Sequence, residues 1–94
     1  MGEYSTYILT NITNSVFYTG ITNNLKRRVW EHKNSSNPDS FTIKYNLRKL
    51  VWFDNFSTPE EAIIVEKRIK GWVRIKQIKL IKSLNPLFKD LSLL

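Results

Sequence analysis

The sequence predicts a small α/β domain, a three-stranded antiparallel sheet flanked by helices in the order ββαβαα. Three observations lead there. Residues 4–10, 16–19 and 47–56 are runs of aromatic, aliphatic and β-branched residues, the first two split by turn formers. Three other stretches carry apolar residues at helical spacing, and two of them follow clear start signals. The 94 residues, 41% hydrophobic and 24% charged, suffice for one modest core and not for two, so residues 1–94 read as a single domain.

The first two strands pair antiparallel across Asn11-Ile12-Thr13-Asn14-Ser15. Alternation puts Tyr7 with Leu9 on one face and Tyr18 with Val16 on one face of the partner strand. Whether those faces coincide depends on register, which stays open. Gly20 ends the second strand, where the backbone must bend or come close to another group. Asn23 or Asn24 caps the first helix, in which Leu25, Val29 and His32 fall at i, i+4 and i+7, with Arg28 at i+3. Arg28 and His32 therefore lie one turn apart on the edge that meets the sheet, while Lys26, Arg27 and Glu31 point elsewhere. An arginine leaning inward needs an anionic partner.

Residues 34–46, full of Asn and Ser with Pro38, read as a long loop, a trait of mobile or substrate-contacting segments. In the third strand, Leu50-Val51-Trp52-Phe53 is apolar enough to require a helix on each face. Thr58-Pro59-Glu60-Glu61 starts the second helix with a capping threonine, a proline in the first turn and a glutamate three residues after the cap. That helix runs to about Lys70, where Gly71 terminates it. Glu66 stands in its apolar stripe with Ala62, Ile63 and Ile69. A third helix over about residues 74–84 has Ile75, Ile78, Ile81 and Leu84 inside and Lys76, Lys79 and Lys82 outside; Asn85-Pro86 closes it. The tail, residues 87–94, packs back at its start and frays at its end.

Without cysteine the chain has neither a disulfide framework nor a thiolate ligand or nucleophile. No apolar run approaches the roughly 18 residues of a membrane span and no signal-peptide pattern opens the sequence, so a cytoplasmic location away from membranes is expected. Net charge is +7, and residues 67–82 hold seven Lys or Arg and no acid. Most charge runs are merely solvated; in a chain whose Arg28 also needs an anionic partner, this one suits a polyanion. Lys67, Lys70, Arg74, Lys76 and Lys79 are the candidate nucleic-acid contacts. Trp30, Trp72, Phe41 and Tyr45 are either core or base-stacking groups, and Trp52 is core.

Together these residues resemble the GIY-YIG nucleases, a family that includes homing endonucleases, restriction enzymes and a bacterial repair nuclease. In size the chain is similar to the small single-domain bacterial members. Tyr18-Thr19-Gly20 stands as the second half of the signature, followed by Arg28 and His32 as Arg-x-x-x-His. Ser5-Thr6-Tyr7 keeps only the tyrosine of the first half. The likeness continues through Glu66 in EEAIIVEKRIKGW and Asn85 in SLNPLFKDLS.

The resemblance implies hydrolysis of a nucleic-acid phosphodiester, with DNA the expected substrate and DNA repair one expected setting. It implies a single Mg²⁺ (or Mn²⁺) on Glu66, since such an ion takes one or two carboxylates and fills its octahedron with water and phosphate. Tyr18 would deprotonate the attacking water, Tyr7 orient it, and Arg28 hold developing charge by parallel hydrogen bonds to the phosphate. His32 would add a hydrogen bond to substrate or water. Blander roles stand beside each: an ion pair with Lys70 for Glu66, packing for the tyrosines, a structural place for the lone histidine, and a helix stop for Asn85. The alternative function is a nucleic-acid-binding module of the same fold with little or no cleavage.

Overall fold

The computed structural model describes residues 3–34 and 40–93. Strand β1 (Tyr4–Thr10) lies in the middle of a three-stranded sheet, with β2 (Phe17–Thr22) and β3 (Lys49–Phe56) antiparallel on either side. Every residue of β1 after Tyr4 is buried, which is what a strand covered on both faces requires. Tyr7 and Leu9 enter the core on one face and Ile8 the core on the other. The buried threonines are satisfied: Thr6 Oγ1 donates to the Ala62 carbonyl at 2.8 Å and Thr10 Oγ1 to the Val16 carbonyl at 2.7 Å.

Asn11 builds the turn, its side-chain oxygen accepting from the Ser15 and Val16 amides at 2.8 and 3.2 Å. Asn14 takes φ 58°, a left-handed conformation that asparagine tolerates. The resulting register pairs Tyr7 with Gly20 and Leu9 with Tyr18, so both tyrosines lie on one face as diagonal neighbours. Gly20 does not end β2, which continues to Thr22. The second of the two expected reasons for the glycine applies, because the Tyr7 ring crosses it and a Cβ there would lie 2.7 Å from Tyr7 Oη.

The register between β1 and β3 shifts at Ile8/Leu9: Ile8 faces Trp52 and Leu9 faces Leu50, leaving Val51 as the extra residue of a bulge. Val51 and Trp52 thereby join the core on the Ile8 face while Leu50 joins the Tyr7 face. Helix α1 (Leu25–Lys33) covers the Tyr7 face through Val29; Asn24 is its cap, accepting from the Arg27 amide at 3.1 Å. After α2 (Ser40–Lys44) come α3 (Pro59–Lys70) and α4 (Arg74–Leu84), whose Ile69 and Ile81 cover the Ile8 face. Thr58 caps α3 by accepting from the Glu61 amide at 3.3 Å.

Several expectations change. The stretch 34–46 contains a short helix, α2 (Ser40–Lys44), so the order gains an element; residues 35–39 of that stretch lie outside the described residues. In α4 the inner side is Leu80 and Ile81 with Gln77, which donates to the Ile69 carbonyl at 2.8 Å, whereas Ile75 and Leu84 are exposed. In the tail Leu87 is exposed, while Phe88 and Leu91 pack on the two cores. Asn85 Nδ2 donates to the Val51 carbonyl and the Leu50 amide donates to Asp90, so the tail seals the outer edge of β3. Among the described residues no helix is long and apolar enough to cross a membrane.

Candidate active site

On the α1 face three rings meet. Their centroids are 6.3 Å apart for Tyr7–Tyr18, 6.2 Å for Tyr7–His32 and 6.0 Å for Tyr18–His32. Tyr7 is 2% exposed and His32 5%, while Tyr18 is half-buried. The histidine is held at both ring nitrogens, with Tyr7 Oη 3.4 Å from Nε2 and Thr42 Oγ1 3.2 Å from Nδ1. Phe41 packs on Tyr18 at 6.2 Å and on Tyr45 at 4.9 Å, and Lys44 Nζ sits 5.4 Å over the Tyr45 ring. An aromatic path thus leads from buried Tyr7 out to the surface. Thr42 and Lys44 were missed in sequence, where their segment reads as loop; the one signal was the i, i+4 spacing of Phe41 and Tyr45.

Arg28 lies one turn before His32. Its Nε is 3.8 Å from Glu31 Oε1, and Arg27 Nε approaches the other oxygen of the same carboxylate at 3.8 Å. Glu31 therefore does not point away from Arg28: it is the anionic partner the arginine needed, supplied by the same helix. Such long, solvent-touched pairs contribute about 0–1 kcal/mol, so Arg28 is held loosely enough to turn toward a phosphate.

Glu66 is on α3, which packs on the Ile8 face. Its side chain is 17% exposed and pairs with Lys70 Nζ at 3.0 Å. Among the described residues it makes no hydrogen bond or ion pair with Tyr7, Tyr18, Arg28 or His32. The basic run occupies the end of α3 and all of α4, on that same face. Arg74 donates to the Asn14 carbonyl at 2.8 Å and stacks on Phe17, and Lys76 stacks on Trp72. Lys67, Arg68, Lys79 and Lys82 are exposed.

Asn85 spends its carboxamide on backbone, donating to the Val51 and Lys89 carbonyls at 3.1 and 2.7 Å and accepting from the Lys89 amide at 2.9 Å. Nearby, burial pushes the Asp90 carboxyl up, but the Lys33 ammonium and donors from Ser92 and Leu50 outweigh it and hold the group below its ordinary value. The structure thus brings together Tyr7, Tyr18 and His32 with Arg28 a turn away, and sets Glu66 and the basic residues on helices of the other face.

The GIY-YIG catalytic domain model matches residues 3–79, a stretch that spans both tyrosines, Arg28, His32 and Glu66 and stops short of Asn85. The chain belongs to the GIY-YIG family. A solution NMR structure of a UPF0213 protein from Bacillus halodurans is similar to it, at 25% identity and a TM-score of 0.56 over 94% of this chain and 92% of that one. Among curated proteins none matches the chain. Membership places this GIY-YIG protein in a family of nuclease type, for which nucleic acid is the implied substrate and a divalent metal the usual cofactor.

Proposed function

We propose that this protein is an endonuclease that hydrolyses nucleic-acid phosphodiester bonds, with DNA as substrate and one Mg²⁺ or Mn²⁺ as cofactor. The observation that carries the reading is the meeting of Tyr7, Tyr18 and His32 over Gly20, with loosely held Arg28 one turn away. Tyr18, the outer phenol, takes the proton of the attacking water; Tyr7, the inner one, orients that water and is itself held by His32. A phenol is a weak base near its free pKa of about 10, and cationic neighbours are what lower it. Arg28 donates to the scissile phosphate as negative charge builds. The aromatic path through Phe41 to Tyr45, with Lys44 beside it, suits the bases and backbone of a nucleic-acid strand.

Glu66 is the carboxylate that would hold a divalent ion: its side chain is 17% exposed, Lys70 engages its Oε2, and α3 packs along β2, the edge strand that carries Tyr18. One carboxylate is enough for Mg²⁺, which when bound would offset charge on the phosphoryl and leaving oxygens. Single- and double-stranded DNA and RNA, each incubated with Mg²⁺ and with EDTA, test the reading. Cutting that EDTA abolishes is expected. Binding without cutting on every substrate would replace it with the binding-module reading.

A further inference from the structure

We infer that Thr42 is a positioning residue of this site, its hydroxyl fixing the tautomer of His32 and, through it, the direction of the Tyr7 hydroxyl proton. The inference rests on the hydrolytic role proposed for the cluster. Thr42, His32 and Tyr7 are 3%, 5% and 2% exposed, so the chain of contacts from Thr42 Oγ1 through the imidazole to Tyr7 Oη is shielded from bulk water. A neutral imidazole carries one N–H donor and one acceptor nitrogen. The two hydroxyls therefore take opposite roles: one donates to the ring and the other accepts from it.

Acidity decides which. A phenol, with a pKa of about 10, is a stronger acid than an aliphatic alcohol and so the stronger donor. Tyr7 O–H donates to Nε2, and Nδ1–H donates to Thr42 Oγ1. A partner that fixes one ring nitrogen in this way sets what the other can do. With its proton turned to His32, the Tyr7 oxygen keeps a lone pair for the site and accepts a hydrogen bond from the attacking water, whose own lone pair is left for phosphorus. In the reverse tautomer Nε2–H donates to Tyr7, the Tyr7 proton turns to the water and draws on one of its two lone pairs, and the water becomes a weaker nucleophile with one proton left without its acceptor.

The chain has a single histidine, so two-bond ¹H–¹⁵N spectra of the imidazole, taken where the ring is neutral, report the tautomer without further assignment. We expect His32 protonated at Nδ1 in the wild type and in Thr42→Ser, and at Nε2 in Thr42→Val, which keeps the shape of the side chain and removes the hydroxyl. Under single-site kinetics Thr42→Val should lose about 10-fold or more in kcat with KM little changed, and Thr42→Ser should recover most of it. A wild-type His32 protonated at Nε2 overturns the inference even if Thr42→Val does not fold. So does a Thr42→Val protein that keeps the Nδ1 proton and the wild-type kcat. A wild type that cuts no nucleic acid would instead overturn the nuclease reading, while the spectra still decide the role of Thr42.

Discussion

A methyl group at position 20 would meet Tyr7 Oη at 2.7 Å, Tyr7 Cζ at 2.9 Å and Tyr18 Cε2 at 3.0 Å. Tyr7 is packed on every side and bonded to His32, so its ring has little room to yield. Gly20→Ala should destabilise the fold by about 1–3 kcal/mol, as overpacking does, and lower cleavage beyond what the lost folded fraction explains. Melting curves and cleavage rates measured on the same preparation check both parts. Arg27 and Arg28 form an internal control, because both approach Glu31 at 3.8 Å. Arg28→Ala should reduce cleavage by roughly 10²-fold or more with little change in binding, and Arg27→Ala should do neither. Equal effects in a cleavage and binding assay would mean that the helix face is misassigned. At this scale the spacing of Arg28 and His32 was legible, because a helix turn fixes it locally. Glu31 as the arginine's partner was not, since two arginines one residue apart can share a carboxylate that a helical wheel sets aside.

The capped helices were legible for the same local reason: Asn24 and Thr58 bind amides three residues ahead, and that geometry is written in sequence spacing. Helix α2 was not. Its five residues include β-branched Thr42 and Ile43 and follow Pro38 in an Asn- and Ser-rich stretch, so intrinsic preference argues against it. What holds it is tertiary: Thr42 on His32 and Phe41 on Tyr18. The tail is held by tertiary contacts too, through Asp90 bonded to Lys33, Ser92 and the Leu50 amide. Because the folded Asp90 carboxyl sits below its ordinary value, its contribution is present above the unfolded pKa and is lost as pH falls through the folded one. Thermal melts of wild type and Asp90→Asn should therefore differ most near neutral pH and converge in acid. A gap that widens on acidification would refute this account of the tail.

For the whole molecule, the sheet and its helices were legible because periods of 2 and 3.6 run clearly through the chain, and each face of a buried sheet must be covered. The distribution of function between the faces was not, since it follows from the order β2-β1-β3 and from which face α3 and α4 cover. The basic run was expected beside the phosphate-handling site; it lies on helices of the face opposite the ring cluster. If about four of Lys67, Arg68, Lys79 and Lys82 with their neighbours contact phosphates, affinity for duplex should fall with salt at a log–log slope near −3.6, and Lys79→Ala with Lys82→Ala should flatten it by about 1.8. Fluorescence titrations over a salt series check this, and a slope near zero would exclude a phosphate-binding face. The central claim is that the ring cluster hydrolyses phosphodiesters, and it is tested most directly by single-turnover cleavage of DNA in Mg²⁺ with wild type and Tyr18→Phe. The wild type should cut, and Tyr18→Phe, which loses only an oxygen from a half-buried ring, should be slower by about 10²-fold or more with binding unchanged. A Tyr18→Phe protein that cuts as fast as the wild type would contradict the account.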